Sequence, residues 1–411
     1  MMIENKMTWA ANISVFLIFV IISWCFKASY FSYAIVVFSL FLVIDAVYSY
    51  KHERFFLPKQ SKRFSLEVTG ILTLYLLFIL TSLLHGDHLD LVKALDCAAL
   101  CVPFFMTWWI SNKYDIERGF YWGILIGAII ACCIGLYQWY VNPGVRIRSS
   151  YAHPNHFGTM INLTLPIIGY YALNIKNYAY KLLSICTVVM QIICLYFTSS
   201  RGALLALMGA AVLGLIWAFV SLKRYIDLHI GKYIFISIII IFVGGGFALH
   251  YMERARNMDV IQMMQMEGSA AKTGGERVQM IKASVAMWED HKLIGVGAGH
   301  WGEEYYGSYR PADIREEGHS MPHNMPLFFL STSGIVGFAG YITFLFLSAY
   351  TLSKVSQDRK DFYWSLSIYM VFLSFLLQGF VDTTIINKIP ARMFFALMGS
   401  FIMLGYSKIE K

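Results

Sequence analysis

Long uninterrupted apolar runs, each about 20 residues, dominate the chain, and that is the length a helix needs to cross a hydrocarbon core of about 30 Å. They lie near 8–26, 29–49, 66–84, 91–111, 118–140, 156–174, 179–199, 202–221, 232–250, 326–352, 361–381 and 389–406. In lipid the backbone must satisfy its own hydrogen bonds, so segments of this kind become helices. The expected fold is an all-α polytopic membrane protein with about 12 transmembrane helices. Composition agrees, with 58% of the 411 residues hydrophobic and 14% charged, against roughly 25% charged in soluble domains. A soluble globular protein is thereby excluded. The run at 91–111 is the weakest, because it carries Lys93 and Asp96.

The formal net charge is +8, which in a soluble chain suggests a nucleic-acid partner. In a membrane chain the placement of the charges matters more than their sum, and no nucleic-acid partner is expected. With the N-terminus inside, the short inner connections collect more than half of the 33 basic residues, among them Lys51, Arg54, Lys59, Lys62, Arg63, Lys223 and Arg224. The positive-inside rule therefore predicts that both termini are cytoplasmic. All seven cysteines fall in apolar runs, so neither a disulfide framework nor a zinc site is implied. The first run lacks a small-residue cleavage site and reads as a retained span.

One connection departs from the pattern of short loops. Residues 251–325, about 75 of them, join the ninth run to the tenth on the outer face, and loops of that length are usually functional or disordered. The organisation expected is thus 1–250 as spans one to nine, 251–325 as a large, partly helical periplasmic loop carrying catalytic residues, and 326–411 as the last three spans. Within the loop, Val278, Ile281, Val285 and Trp288 form an apolar stripe at helical spacing just after Gly274 and Gly275, which predicts at least one helix in the loop. The small polar stretch Gly268 to Gly275 before it reads as mobile.

Reactive side chains gather on the outer connections: Arg146 to His156 (RIRSSYAHPNH), Ser199 to Arg201 (SSR), and the long loop with Arg277, His300, Arg310, Arg315, His319 and His323. A lone arginine at a membrane boundary is commonly a snorkelling anchor. Arg146, Arg148 and Arg201, however, stand where the sidedness rule predicts depletion, and a guanidinium offers a fixed fork of donors suited to phosphate oxygens. A polyanionic ligand at the membrane plane follows as the functional reading. His319 and His323 are four residues apart, but Pro322 between them argues against a helical metal pair. An imidazole acting as general base suits them better, since its ordinary pKa lies near neutrality. Gly295, Gly297 and Gly299 (GVGAG) follow a helical stretch rather than a strand, so they read as a tight turn and not a dinucleotide fingerprint. His85, Asp87, His88 and Asp90 form a short polar outer loop for which a metal site is the minor alternative. Gly123 and Gly127 read as a packing face within one span. No Asp-x-Asp pair stands near these residues, which disfavours a metal-dependent nucleotide-sugar transferase.

The order of these motifs resembles the O-antigen ligase and polymerase superfamily of bacterial envelope glycosyltransferases. The matching segments are Tyr151 to Phe157 (YAHPNHF), Thr198 to Leu205 (TSSRGALL), Gly275 to Met280 (GERVQM), Trp288 to Trp301 (WEDHKLIGVGAGHW) and His323 to Gly337 (HNMPLFFLSTSGIVG), with Asp382, Pro390 and Arg392 beyond them. The first 140 or so residues match only in being apolar spans, and Lys292 stands where relatives commonly have Pro before the Gly-x-Gly turn. The resemblance implies a GT-C-like fold in the bacterial inner membrane with its active site facing the periplasm. It also implies a metal-independent, inverting transfer of a glycan from an undecaprenyl-diphosphate-linked donor to a lipid A-core acceptor, without a cofactor. Carried over by motif, His323 is the general base and Arg201 and Arg277 stabilise the diphosphate. Arg146, Arg148, His153, Asn155, His319, Asn324 and Arg392 are the expected substrate-binding residues. A polymerase using a second lipid-linked glycan as acceptor, a protein O-oligosaccharyltransferase and, outside the enzymes, a 12-span transporter are the alternatives. Against the last stand the absence of visible repeats and the polar weight on the outer face.

Overall fold

Each apolar run becomes a helix where its residues are described, and the run at 232–250 lies outside the described residues except for 244–246. The computed structural model describes residues 2–24, 28–51, 62–223, 244–246, 274–310 and 320–404. Its helices are α1 (Met2–Trp24), α2 (Phe31–Lys51), α3 (Lys62–His85), α4 (His88–Ala98), α5 (Val102–Lys113), α6 (Glu117–Val141), α7 (Pro154–Asn174), α8 (Tyr178–Thr198) and α9 (Arg201–Leu222). They continue as α10 (Gly274–Asp290), α11 (Trp301–Glu304), α12 (Met325–Arg359), α13 (Phe362–Gln378) and α14 (Lys388–Leu404). No strand occurs among the described residues. Among the described residues, seven helices are long and apolar enough to cross a membrane: α1 from Lys6, α2, α3, α6, α8, α9 and α12. This is a polytopic, all-helical membrane protein.

Small residues set how closely these helices approach, as expected where lipid removes the hydrophobic drive to associate. Gly119, Gly123 and Gly127 form a stripe on α6 against which α1 lies, through Asn12, then Phe16 and Phe19, then Ser23. The Gly123–Gly127 face foreseen in the sequence is thus the lower part of a longer seam. α3 and α12 meet in the same way, Gly70 against Leu347 and Phe344 and Gly340 against Thr73 and Leu74. In that interface Ser348 donates to the fully buried Glu67 at 2.7 Å. α9 packs on α13, with Trp217 stacked on Tyr369 at 4.1 Å between ring centroids. α7 and α14 are the most completely covered helices, whereas α2 leaves most of its side chains exposed.

Two helices depart from simple spans. The run at 91–111 is divided into α4 and α5 by a 3-10 turn at Ala99–Cys101, with Pro103 in the first turn of α5. Proline is tolerated there because its missing N–H would have no helical partner. α12 is broken at Gly334, whose φ of 60° and ψ of −161° are non-helical and accessible essentially to glycine alone. The groups freed by the break are taken up by the GVGAG turn. Val296 and Gly297 donate to the Ser331 and Thr332 carbonyls at 2.9 and 3.0 Å, and Ile335 and Val336 donate back to Lys292 and Leu293 at 2.9 and 3.3 Å. The loop is therefore paired into a helix break by backbone bonds, and Gly295 (φ 73°) and Gly297 (φ 104°) shape the turn that does it. Lys292, the departure from the relatives' proline, contributes only its carbonyl to that pairing.

α10 bears out a helix in the loop. The buried positions are Met280, Ala283 and Met287, packed on Trp301 and Tyr305 in a small core of their own. Of the apolar stripe, Ile281 is exposed, and Val278, Val285 and Trp288 are half-buried. The segment anticipated as mobile before α10 lies outside the described residues up to 273.

Candidate active site

The connections at one end of the bundle carry the side chains singled out above, and they are tied to one another. Arg146 Nε donates to the Thr198 carbonyl at 2.8 Å and its Nη2 to Asn155 Oδ1 at 3.1 Å. Ser200, the N-cap of α9, donates to the same Asn155 oxygen at 3.0 Å, and its Oγ accepts from Ala203 N–H at 3.4 Å. The HPNH segment and the SSR segment are thereby one polar cluster at the starts of α7 and α9. Arg201 is the first residue of α9, where the helix dipole already favours an anion. Two residues earlier Ser199 takes a left-handed φ of 48°, which turns the chain sharply from α8 into α9.

His323 has a left-handed φ of 50°, an uncommon conformation for a residue other than glycine and one that surrounding contacts must hold. Those contacts come from the turn after α13. Met325 N–H donates to Gly379 O at 2.7 Å, Asn324 Nδ2 donates to Phe380 O at 3.0 Å, and His323 Nδ1 lies 3.3 Å from Asp382 Oδ1. Asp382 is buried, and Thr383 N–H donates to the same oxygen at 2.8 Å. Burial pushes the Asp382 carboxyl up, but the His323 hydrogen bond and charge, with His156 and the Thr383 N–H, outweigh it and hold it at about 2. A carboxylate only accepts, so in the neutral ring Nδ1 carries the proton and the basic lone pair falls to Nε2. Asp382 entered the sequence argument only as a trailing motif residue. No local pattern marks it as the partner of a histidine 59 positions away.

The two groups are neighbours. Gly202, beside Arg201, packs against Val381 and lies near the Gln378 side chain. His153 feels Arg146, His156, Asp382 and His323; desolvation first and then the Arg146 charge lower its pKa, so the ring stays neutral near pH 7. Its Nδ1 caps α7 by accepting from Asn155 N–H at 3.2 Å.

The remaining candidates fall as follows. Asn324 caps α12, its Oδ1 accepting from Leu327 N–H at 3.0 Å. Arg148 is exposed, and its Nη1 donates to the Ala152 carbonyl at 3.3 Å. The Arg392 guanidinium sits over the Phe31 ring at 4.2 Å. Arg277 stands in the first turn of α10. His319 lies outside the described residues.

A second histidine–carboxylate group joins the loop to the α3–α4 corner. Asp90 is buried and takes Gly299 N–H at 2.6 Å and His300 Nδ1 at 3.0 Å. Asp87 lies 3.4 Å and Glu303 3.9 Å from His300 Nε2. Desolvation lowers the His300 pKa, but Asp90, Asp87 and Glu303 outweigh it and leave it raised. The polar outer loop of the sequence is thus a docking point: Asp87 caps α4, and His85 Nε2 meets the Ile294 carbonyl at 3.1 Å. The described residues contain no group of three or more potential metal ligands.

Residues 186–342, which include the greater part of α8, α9, the long loop and the first half of α12, match the family model described as O-antigen ligase. The match covers 157 of the 411 residues, and that part of the chain is similar to this family. No curated protein matches the chain.

Proposed function

We propose that the protein is an O-antigen ligase of the inner membrane, transferring a polysaccharide from undecaprenyl diphosphate to a sugar hydroxyl of a lipid A core on the periplasmic side. The observation that carries this reading is the His323–Asp382 pair, 3.3 Å apart, fastened to the same turn on which the start of the Arg201 helix rests. In the reaction, His323 Nε2 takes the proton of the acceptor hydroxyl as its oxygen attacks the anomeric carbon. The bond from that carbon to the diphosphate oxygen breaks on the opposite face, so configuration inverts, and the electron pair leaves on the lipid diphosphate. Asp382 stabilises the imidazolium that forms. Arg201 and Arg277 neutralise the charge growing on the leaving group, the work a divalent cation does in other transferases. Arg146, Arg148, His153, Asn155, His319, Asn324 and Arg392 are proposed to line or support the substrate sites. The apolar flanks of the helices supply the surface along which the lipid tail lies.

The test is transfer by the purified protein from an undecaprenyl-diphosphate-linked glycan to either of two acceptors, a rough lipopolysaccharide or a second lipid-linked glycan. Product on lipopolysaccharide alone supports the ligase. Elongated lipid-linked glycan alone makes the protein a polymerase, and transfer to neither removes the reading.

A further inference from the structure

Two imidazoles of the candidate site are held by opposite kinds of partner. His323 Nδ1 faces the Asp382 carboxylate at 3.3 Å, so it carries a proton, and the lone pair is at Nε2. His153 Nδ1 faces a backbone N–H instead, that of Asn155 at 3.2 Å. A backbone N–H only donates, so Nδ1 of His153 must accept, and in the neutral ring the proton sits on Nε2. The charges of His323 and Asp382 both reach His153, so the two rings share one neighbourhood. They differ in what they offer there: at Nε2, His323 accepts and His153 donates.

The His153 ring is kept in that form. Desolvation, then the Arg146 charge, then His156, whose ring centroid is 6.1 Å away, lower its pKa to about 4; Asp382 opposes them, and His323 adds to the lowering. Protonation would also set an Nδ1–H against the Asn155 N–H at the start of α7, where His153 is the N-cap. His153 is exposed, so a ligand can reach it. Its bonding points to which ligand. Asn155, whose N–H it holds, accepts at Oδ1 from Arg146 and from Ser200, and Ser200 is the N-cap of the helix that begins with Arg201. His153 is thus bonded into the arginine cluster. A neutral imidazole with a lowered pKa acts on developing negative charge as a hydrogen-bond donor and keeps its proton.

We propose that His153 is a fixed hydrogen-bond donor to a diphosphate oxygen of the lipid-linked substrate: its Nε2–H, set by the Asn155 bond, adds an uncharged donor to the arginines while His323 takes the acceptor's proton. This deepens the transferase reading and rests on it. The experiment uses the full chain in lipid nanodiscs and compares two variants. His153→Ser keeps a side-chain oxygen that caps α7 but has no distal donor, whereas the amide N–H of His153→Gln extends about as far as Nε2. Transfer from an undecaprenyl-diphosphate-linked glycan to rough lipopolysaccharide is read as kcat/KM, and folding as thermal unfolding. His153→Ser is expected to keep the wild-type unfolding temperature and to lose about 10- to 100-fold in kcat/KM, the worth of one hydrogen bond to a charged group, and His153→Gln to regain most of that loss. If His153 only caps the helix, the order reverses, with His153→Ser active and His153→Gln impaired, and the proposal falls. The second measurement is the ¹⁵N shifts of the His153 ring in the wild-type protein, assigned by their loss in His153→Gln, with and without undecaprenyl diphosphate. A protonated Nε2 whose resonance moves on addition of the lipid is expected. A protonated Nδ1, a ring that does not respond, or one that responds equally to undecaprenol, which lacks the phosphates, overturns the proposal. If the wild-type protein transfers to no acceptor, the transferase reading fails on its own, and the response to undecaprenyl diphosphate still decides whether His153 donates to it.

Discussion

Asn in place of Asp382 keeps the side chain's size and an oxygen acceptor while removing its charge. The effect can be scaled from the structure. The Asp382 carboxyl is held at about 2 rather than 3.8, a displacement that corresponds to roughly 2 to 3 kcal/mol of preference for the ionised form beside His323. In catalysis that attraction acts on the imidazolium present when the base holds the acceptor's proton, so its loss raises the barrier by a similar amount. A fall in kcat of roughly 30- to 150-fold follows. Asn also presents an N–H to Nδ1 when it turns, which selects the tautomer that cannot accept at Nε2 and adds to the loss. KM should stay within about threefold, because Asp382 is buried behind His323 and meets no substrate. The assay is steady-state transfer by the purified variant to rough lipopolysaccharide, with folding checked by thermal unfolding. A well-folded Asp382→Asn protein that transfers at the wild-type rate refutes the role of the pair.

Arg201→Lys keeps a positive charge but not the fork of donors, so transfer should fall nearly as far as in Arg201→Ala; a lysine variant with wild-type turnover reduces Arg201 to an anchor. Because guanidinium groups are proposed to take the leaving-group charge, EDTA should leave the rate unchanged, and a loss restored by Mg²⁺ would send attention to Asp87, His88 and Asp90. The raised pKa of His300 means its contribution to stability is full below the ordinary value of 6.5 and is lost as pH rises through the folded value. Protection of the Gly295–His300 amides from exchange should therefore be greater at pH 6 than at pH 9, and in His300→Gln this pH dependence should vanish.

The helices were legible because periodicity and length are local properties, and lipid forces a long apolar segment to be a helix. The break at Gly334 was not: a glycine in an apolar run is unremarkable until the partner of its freed backbone is known, and that partner lies some 40 residues upstream at Lys292 to Gly297. The buried face of α10 is likewise set by residues outside the helix. Val278, Ile281, Val285 and Trp288 are the more obviously apolar stripe, but Trp301 and Tyr305, beyond the helix, select Met280, Ala283 and Met287 instead. For the candidate site, residue types and sidedness pointed to the SSR and His-Asn segments. Asn155 bonds the SSR segment to the HPNH segment, the turn after α13 holds the His-Asn segment, and Gly202 packs on that turn at Val381, none of which is recognisable from spacing.

The pairing of the GVGAG turn with the break in α12 has a consequence for the order in which a growing chain can take shape. When residues 292–297 leave the ribosome, the Ser331 and Thr332 carbonyls and the Ile335 and Val336 N–H groups that will hold them have not yet been made. The corner at His85 and Asp90, by contrast, was completed some 200 residues earlier. The long loop can dock on that corner first and is closed from the other side only when α12 arrives. Asp382 follows 59 residues after His323, so the His323–Asp382 pair forms only after α13 has been made. A chain stopped between α12 and α13 would carry every motif from HPNH to HNMP and still lack the turn that holds His323 in place.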